Sequence, residues 1–220
     1  MHNKKPSQKH LTLIIVVNSV AVCILAWYGW MYLNKKNSRD INGLAQKAGE
    51  AFATNDFKTY YRQVDSREIE SFDMTESKAR ALWDELYAPR IERYFSGAQC
   101  ELEPMSGSQA QYRCTMQVDG KAMDSGVLVT WSPRKGTASL VMQLPELWKL
   151  EYMEQTKQPL GELGEFEAII AGVTKDRSTL EKYGVTGFIG NTPTSKVSNW
   201  DTVLSKYKQI LAQRRNLKTN

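Results

Sequence analysis

Side chains able to carry chemistry are few in this chain and stand far apart. Its two histidines, His2 and His10, both precede an uncharged apolar run, so nothing after residue 10 supplies an imidazole. A Ser-His-Asp or Cys-His nucleophile pair needs that base within hydrogen-bond reach, and a histidine-ligated zinc needs it as a donor. The rest of the chain provides neither, and no catalytic residue, metal or cofactor is assigned. Of the three cysteines, Cys23 lies in the apolar run and reads as an apolar filler, because Val22 occupies the place where a lipid-attachment motif wants a small residue. Cys100 and Cys114 are a candidate pair.

Two further stretches invite a chemical reading and do not sustain it. The acidic scatter Asp65, Glu68, Glu70, Asp73 and Glu76 has the spacing of no calcium loop. It reads as a solvated connection that supplies a helix cap. Gly184–Lys196, GVTGFIGNTPTSK, lacks the Gly-Lys-Ser/Thr order by which a phosphate-binding loop holds its ligand.

The elements that must position Cys100 and Cys114 follow from a period of two that begins at Gln99. Asp119-Gly120 predicts a two-residue hairpin. It sets Val118 opposite Lys121, Met116 opposite Met123, Cys114 opposite Ser125 and Tyr112 opposite Val127. A loop centred on Gly107 sets Leu102 opposite Tyr112 and Cys100 opposite Cys114. A Pro133–Gly136 loop then sets Trp131 against Ala138 and Val129 against Leu140, and a turn at Pro145–Leu147 sets Leu144 against Trp148 and Met142 against Leu150. All these pairs share one apolar face, and a one-residue slip would expose it. A five-stranded antiparallel meander is expected. Directly opposed cysteines at a non-hydrogen-bonded position lie ~4.5 Å apart at Cα, inside the disulfide range. Two buried free thiols are the alternative. A bridge requires an oxidising compartment.

Helices flank this meander. Ile41, Leu44, Ala45, Ala48, Ala51 and Phe52 recur at helical spacing, Thr54-Asn55-Asp56 breaks the pattern, and Phe57, Tyr60, Tyr61 and Val64 resume it. Asp73-x-x-Glu76 has capping-box spacing ahead of Ala79, Leu82, Trp83 and Leu86, and Pro89 is expected to end or kink that helix near Ala88. Leu163, Phe166, Ile169, Ile170 and Val173 mark a further short helix, Leu180 and Tyr183 a turn that Gly184 stops. Ser198-x-x-Asp201 is a second capping box. It opens a final helix with Trp200, Val203, Leu204, Tyr207 and Leu211 on one face. That stripe either docks on its own domain or binds a partner through Trp200, Leu204, Tyr207 and Leu211.

Leu11–Leu33 carries no formal charge and would span roughly 35 Å as a helix. Trp27, Tyr28, Trp30 and Tyr32 crowd its end, where such rings sit at headgroup level. An uncleaved transmembrane anchor is expected; a signal peptide cut near Ser19-Val20-Ala21 is the alternative. Lys4, Lys5 and Lys9 before the run nearly balance Lys35, Lys36 and Arg39 after it, so a disulfide would decide the orientation. The N-terminus would then be cytoplasmic and the following domain periplasmic or extracellular. The net charge of +5 owes much to these flanks, and no nucleic-acid motif follows them.

Two stretches resemble the nuclear-transport-factor-2-like, ketosteroid-isomerase-like superfamily: AFATNDFKTYYRQVDSREIESFDMTESKARALWDEL looks like its opening helices and ELWKLEYM like its closing strand. The resemblance covers roughly Leu44 to Gln155. It implies a cone-shaped cavity between sheet and helices, with Tyr60, Trp83, Tyr112, Trp131 and Trp148 as candidate lining. Isomerases of that family use acids and a tyrosine inside the cavity. Here no inward strand position holds a carboxylate, because Glu101, Glu103, Lys149 and Glu151 alternate outward.

The expected chain is α+β: an N-terminal transmembrane helix, helices packed on a bent antiparallel meander of about five strands, and a helical C-terminal extension. Its parts are a basic tail (1–10), an anchor (11–33), a linker (34–40), a cone-shaped domain (41–156) and the extension (157–220). The expected function is that of a non-catalytic, membrane-anchored, extracytoplasmic accessory protein. It would touch lipid through 11–33 and a protein partner in the envelope, with no nucleic acid. The alternatives are a tethered binder of a small apolar ligand and, behind it, an isomerase-like enzyme.

Overall fold

A computed structural model describes residues 24–30, 41–104, 109–118, 121–131, 136–190 and 196–219. The chain forms two compact units, Met1–Asp40 and Ile41–Asn220. In the first, residues 24–30 are helical, and the rest of 11–33 lies outside the described residues. Among the described residues no helix is long and apolar enough to cross a membrane. This overturns the transmembrane helix expected above.

The second unit opens with helix α1 (41–53), which buries Ile41, Ala45, Ala48 and Phe52 at the spacing the sequence predicts. Gly49 lies on the same helix because the Tyr112 ring crosses it: a Cβ there would meet that ring at 2.1 Å. Asn55, at φ 58°, turns the chain out of α1. The Asp56 carboxylate then accepts from the Thr59 amide at 3.1 Å and starts α2 (Phe57–Tyr61). Asp65 does the same for α3 (Ser66–Ser71), a helix where the sequence suggested a solvated connection. Helix α4 (Glu76–Leu82) is capped by Thr75, whose hydroxyl accepts from the Lys78 amide at 3.3 Å. The expected cap, Asp73, instead sits at φ 45° and binds the Lys78 ammonium.

Pro89 neither ends nor breaks the helix that follows. The chain widens into a π-helical turn, Trp83–Tyr87, in which the Ala88 amide reaches the Trp83 carbonyl. Helix α5 (Ala88–Phe95) then starts with Pro89 in its first turn, where no amide proton is needed.

Four strands, β1 (Gln99–Pro104), β2 (Gln109–Val118), β3 (Lys121–Trp131) and β4 (Gly136–Ala138), form one antiparallel sheet in sequential order. The first two hairpins keep the expected register, from Leu102 opposite Tyr112 to Val118 opposite Lys121. Cys100 and Cys114 are directly opposed, 4.0 Å apart at Cα, and joined by a disulfide. In a chain-entropy account closing so short a loop contributes on the order of 3 kcal/mol. In the third hairpin Val129 faces Ala138 and Trp131 faces Gly136, two residues from the expected pairing but on the same parity.

The fifth strand does not exist. After a 3-10 turn (Val141–Gln143), Leu144–Thr156 is helix α6. Trp148-Lys149-Leu150-Glu151 alternates like a strand, yet Leu144, Leu147 and Trp148 also share a helical face and are buried. Pro145 in the first turn, with its fixed φ and no amide to satisfy, favours the helix. The meander is therefore corrected to four strands. The closing strand of the resemblance is this helix.

The extension forms helix α7 (Glu162–Lys182), a small hairpin of β5 (Gly187–Ile189) and β6 (Val197–Asn199), and helix α8 (Trp200–Thr219). Gly184, at φ 85°, follows α7 as its stop. The expected Ser198-Asp201 capping box does not form: Ser198 belongs to β6, and the Asn199 side chain accepts from the Thr202 amide at 2.9 Å. Ile169, Val173, Leu180, Trp200 and Val203 enter the same core as Phe52 and Leu144.

Candidate functional site

Polar chemistry in the core gathers at two places, neither marked by any sequence motif. The first surrounds Glu68. Asp65, held by the Arg67 guanidinium at 2.5 Å, caps α3 and turns Glu68 inward, where it is buried. One Glu68 carboxylate oxygen accepts from the Leu140 amide at 2.9 Å and the Val141 amide at 3.0 Å; the other accepts from the Ser139 hydroxyl. These amides open the 3-10 turn that leads into α6, so Glu68 serves as that helix's cap from a remote element. Around it, the Tyr60 hydroxyl donates to the Ser139 carbonyl at 2.7 Å and the Tyr87 hydroxyl to the Leu140 carbonyl at 2.9 Å. Backbone bonds between Asp65 and Ala138, 2.9 Å, and between Ala138 and Gln63, 2.7 Å, complete the join.

Burial pushes the Glu68 carboxyl up to about 7, opposed by these three hydrogen bonds and assisted by the nearby Asp65 charge. Burial, reinforced by Glu68, likewise holds the Tyr60 and Tyr87 hydroxyls well above their ordinary range. A carboxyl poised near neutrality beside two tyrosines has the makings of a general base. Its geometry serves another purpose. Both oxygens are engaged by the segment from Ser139 to Val141, and both tyrosines donate into that segment's carbonyls.

The second place centres on Arg90. Its guanidinium binds Glu151 at 2.8 Å, Asp176 at 2.8 Å and the Leu86 carbonyl at 2.9 Å, tying α5 to α6 and α7. The Trp148 indole donates to Asp176 at 2.7 Å, and its ring lies where a Cβ on Gly172 would come within 2.1 Å. Arg90 and Lys175 hold the Glu151 carboxyl below its ordinary value against the opposing pull of burial. Glu151, expected on the outer face of a strand, thus points into a helix junction.

Of the residues expected to line a cavity, Tyr60 and Trp83 are in contact, while Trp148 and Tyr112 sit against other elements. Tyr60 and Trp83 belong to an aromatic cluster with Phe52, their ring centroids 5.3 Å apart, and Trp83 donates to Asn55 at 2.6 Å. Trp148 belongs to the Arg90 junction, and Tyr112 lies against α1. The side chain of Trp131 lies outside the described residues.

The expected partner-binding stripe of α8 turns inward. Trp200 is buried, donates to the Val185 carbonyl at 2.9 Å and packs on Phe188, centroids 5.1 Å apart. Tyr207 packs on Phe166 at 5.9 Å, and Leu204 and Leu211 are half-buried. Trp200 and Val203 enter the domain core, and Leu204 and Tyr207 pack against it.

Among the described residues no group of three or more His, Cys, Asp or Glu side chains is placed to hold a metal ion. Comparison with protein-family models, curated proteins and solved structures finds no match for this chain.

Proposed function

We propose that this chain is a non-catalytic interaction protein whose folded domain works in an oxidising compartment, the periplasm or cell exterior. The observation that carries this reading is how the buried polar groups are used. Glu68, Arg90 and Asp176 all bind groups of the fold, and each joins elements distant in sequence. The disulfide between Cys100 and Cys114 supports the compartment. The partner surface in this reading is the outer face of α8, where Lys206, Gln209 and Gln213 are exposed. Leu217, 78% exposed, is the one large apolar side chain of the second unit left in water among the described residues.

Photo-crosslinking residues placed at Gln213 and Leu217, with Glu92 on α5 as an exposed control, test this in intact cells. Adducts with a protein at 213 and 217 but not at 92 are expected. Equal labelling at all three positions, together with turnover of a small substrate that is lost on Glu68→Gln, would replace the interaction reading with the enzymatic one.

A further inference from the structure

The other large apolar side chains left in water among the described residues are concentrated in one place. Ile24, Leu25, Trp27, Tyr28 and Trp30 are between 50% and 71% exposed, and all lie on the 24–30 helix of the first unit. The Trp27 and Trp30 rings keep each other company at 6.0 Å, and a Cβ on Gly29 would meet nothing within 4 Å. At 100° per residue these side chains surround the helix, so it has no polar face to leave in water. A protein groove reads one apolar face of an amphipathic helix. A helix apolar on all sides suits a solvent that surrounds it.

We infer that residues 24–30 seat in a phospholipid surface, with the Trp27, Tyr28 and Trp30 rings at headgroup level. Three observations select lipid. Indole and phenol rings join an apolar body to a polar N–H or O–H, the combination favoured at the lipid–water boundary. The sequence on either side is basic, with Lys4, Lys5 and Lys9 before and Lys35, Lys36 and Arg39 after, which complements anionic headgroups. The helix is also continuous in sequence with an uncharged stretch reaching back to Leu11. This inference is independent of the α8 surface, since it concerns the other unit.

The test uses the full chain and protein-free liposomes of phosphatidylcholine and phosphatidylglycerol, read by flotation and by tryptophan quenching from lipids brominated near the headgroup or near the chain end. Wild type is expected to float with the liposomes. The quenching difference between wild type and a Trp27→Phe, Trp30→Phe variant should be larger for the shallow label. A Leu25→Ser, Trp27→Ser, Trp30→Ser variant should lose binding by at least about tenfold, since each tenfold step equals only ~1.4 kcal/mol of lost burial. Its domain melting should be unchanged, because the substitutions lie outside the second unit. Failure to float, flotation indifferent to the serine variant, or self-association in place of lipid binding would each overturn the inference.

Discussion

Glu68 and Glu151 are both carboxylates at helix junctions, and their surroundings move them in opposite directions. Glu68 faces amides and hydroxyls with no cation among its hydrogen-bond donors, and burial raises it to about 7. Glu151 lies against the Arg90 and Lys175 cations, and these hold it below its usual value although burial pulls the other way. The difference shows two ways of joining a helix to a core. Dipoles can hold a carboxyl that is free to keep its proton. An ion pair needs both charges, so losing one partner leaves the other exposed to the full penalty of burial.

The contrast can be broken most severely at Arg90. Arg90→Ala would take the guanidinium from Asp176, Glu151 and the Leu86 carbonyl in the core, so a loss of about 3–5 kcal/mol is expected in urea unfolding. It should also reduce, with Lys175 still in place, the stabilisation that Glu151 gives at neutral pH and loses as pH falls through its depressed folded value. At the small end, Asp201 pairs with Arg177 at 2.6 Å in solvent. Asp201→Ala should leave the urea midpoint essentially unchanged, as loss of an exposed pair does. A large effect there would mean that surface charge, and not burial, governs these junctions.

Local signals were legible in the sequence. The α1 face, the Asn55 break and the two register-perfect hairpins each depend on residues within a few positions of one another, and the facing cysteines follow from that register. Trp148-Lys149-Leu150-Glu151 fits both periods, so α6 reads as a strand from its local pattern. What decides it includes a cap from Glu68, 72 residues earlier than the amide it binds. Arg90 likewise meets Glu151 61 positions away and Asp176 86 positions away. No spacing rule reaches that far, so the acidic scatter around Glu68 looked like a solvated connection. Tyr60, Trp83 and Trp148 likewise place their polar tips on the Ser139 carbonyl, Asn55 and Asp176, partners that no local spacing shows.

The central claim is that Glu68 is a structural cap held by dipoles in the core. Its direct test is the urea-unfolding free energy of wild type and Glu68→Gln compared from pH 4.5 to 8. Glutamine keeps an acceptor for the Leu140 and Val141 amides and cannot titrate. Because the folded carboxyl titrates near 7 and the unfolded one near 4.5, wild type binds more protons when folded across this window. Its stability relative to Glu68→Gln should therefore be highest at the acid end and fall by on the order of 3 kcal/mol as pH rises. Parallel curves, or a wild type that gains on the variant with rising pH, would contradict the account.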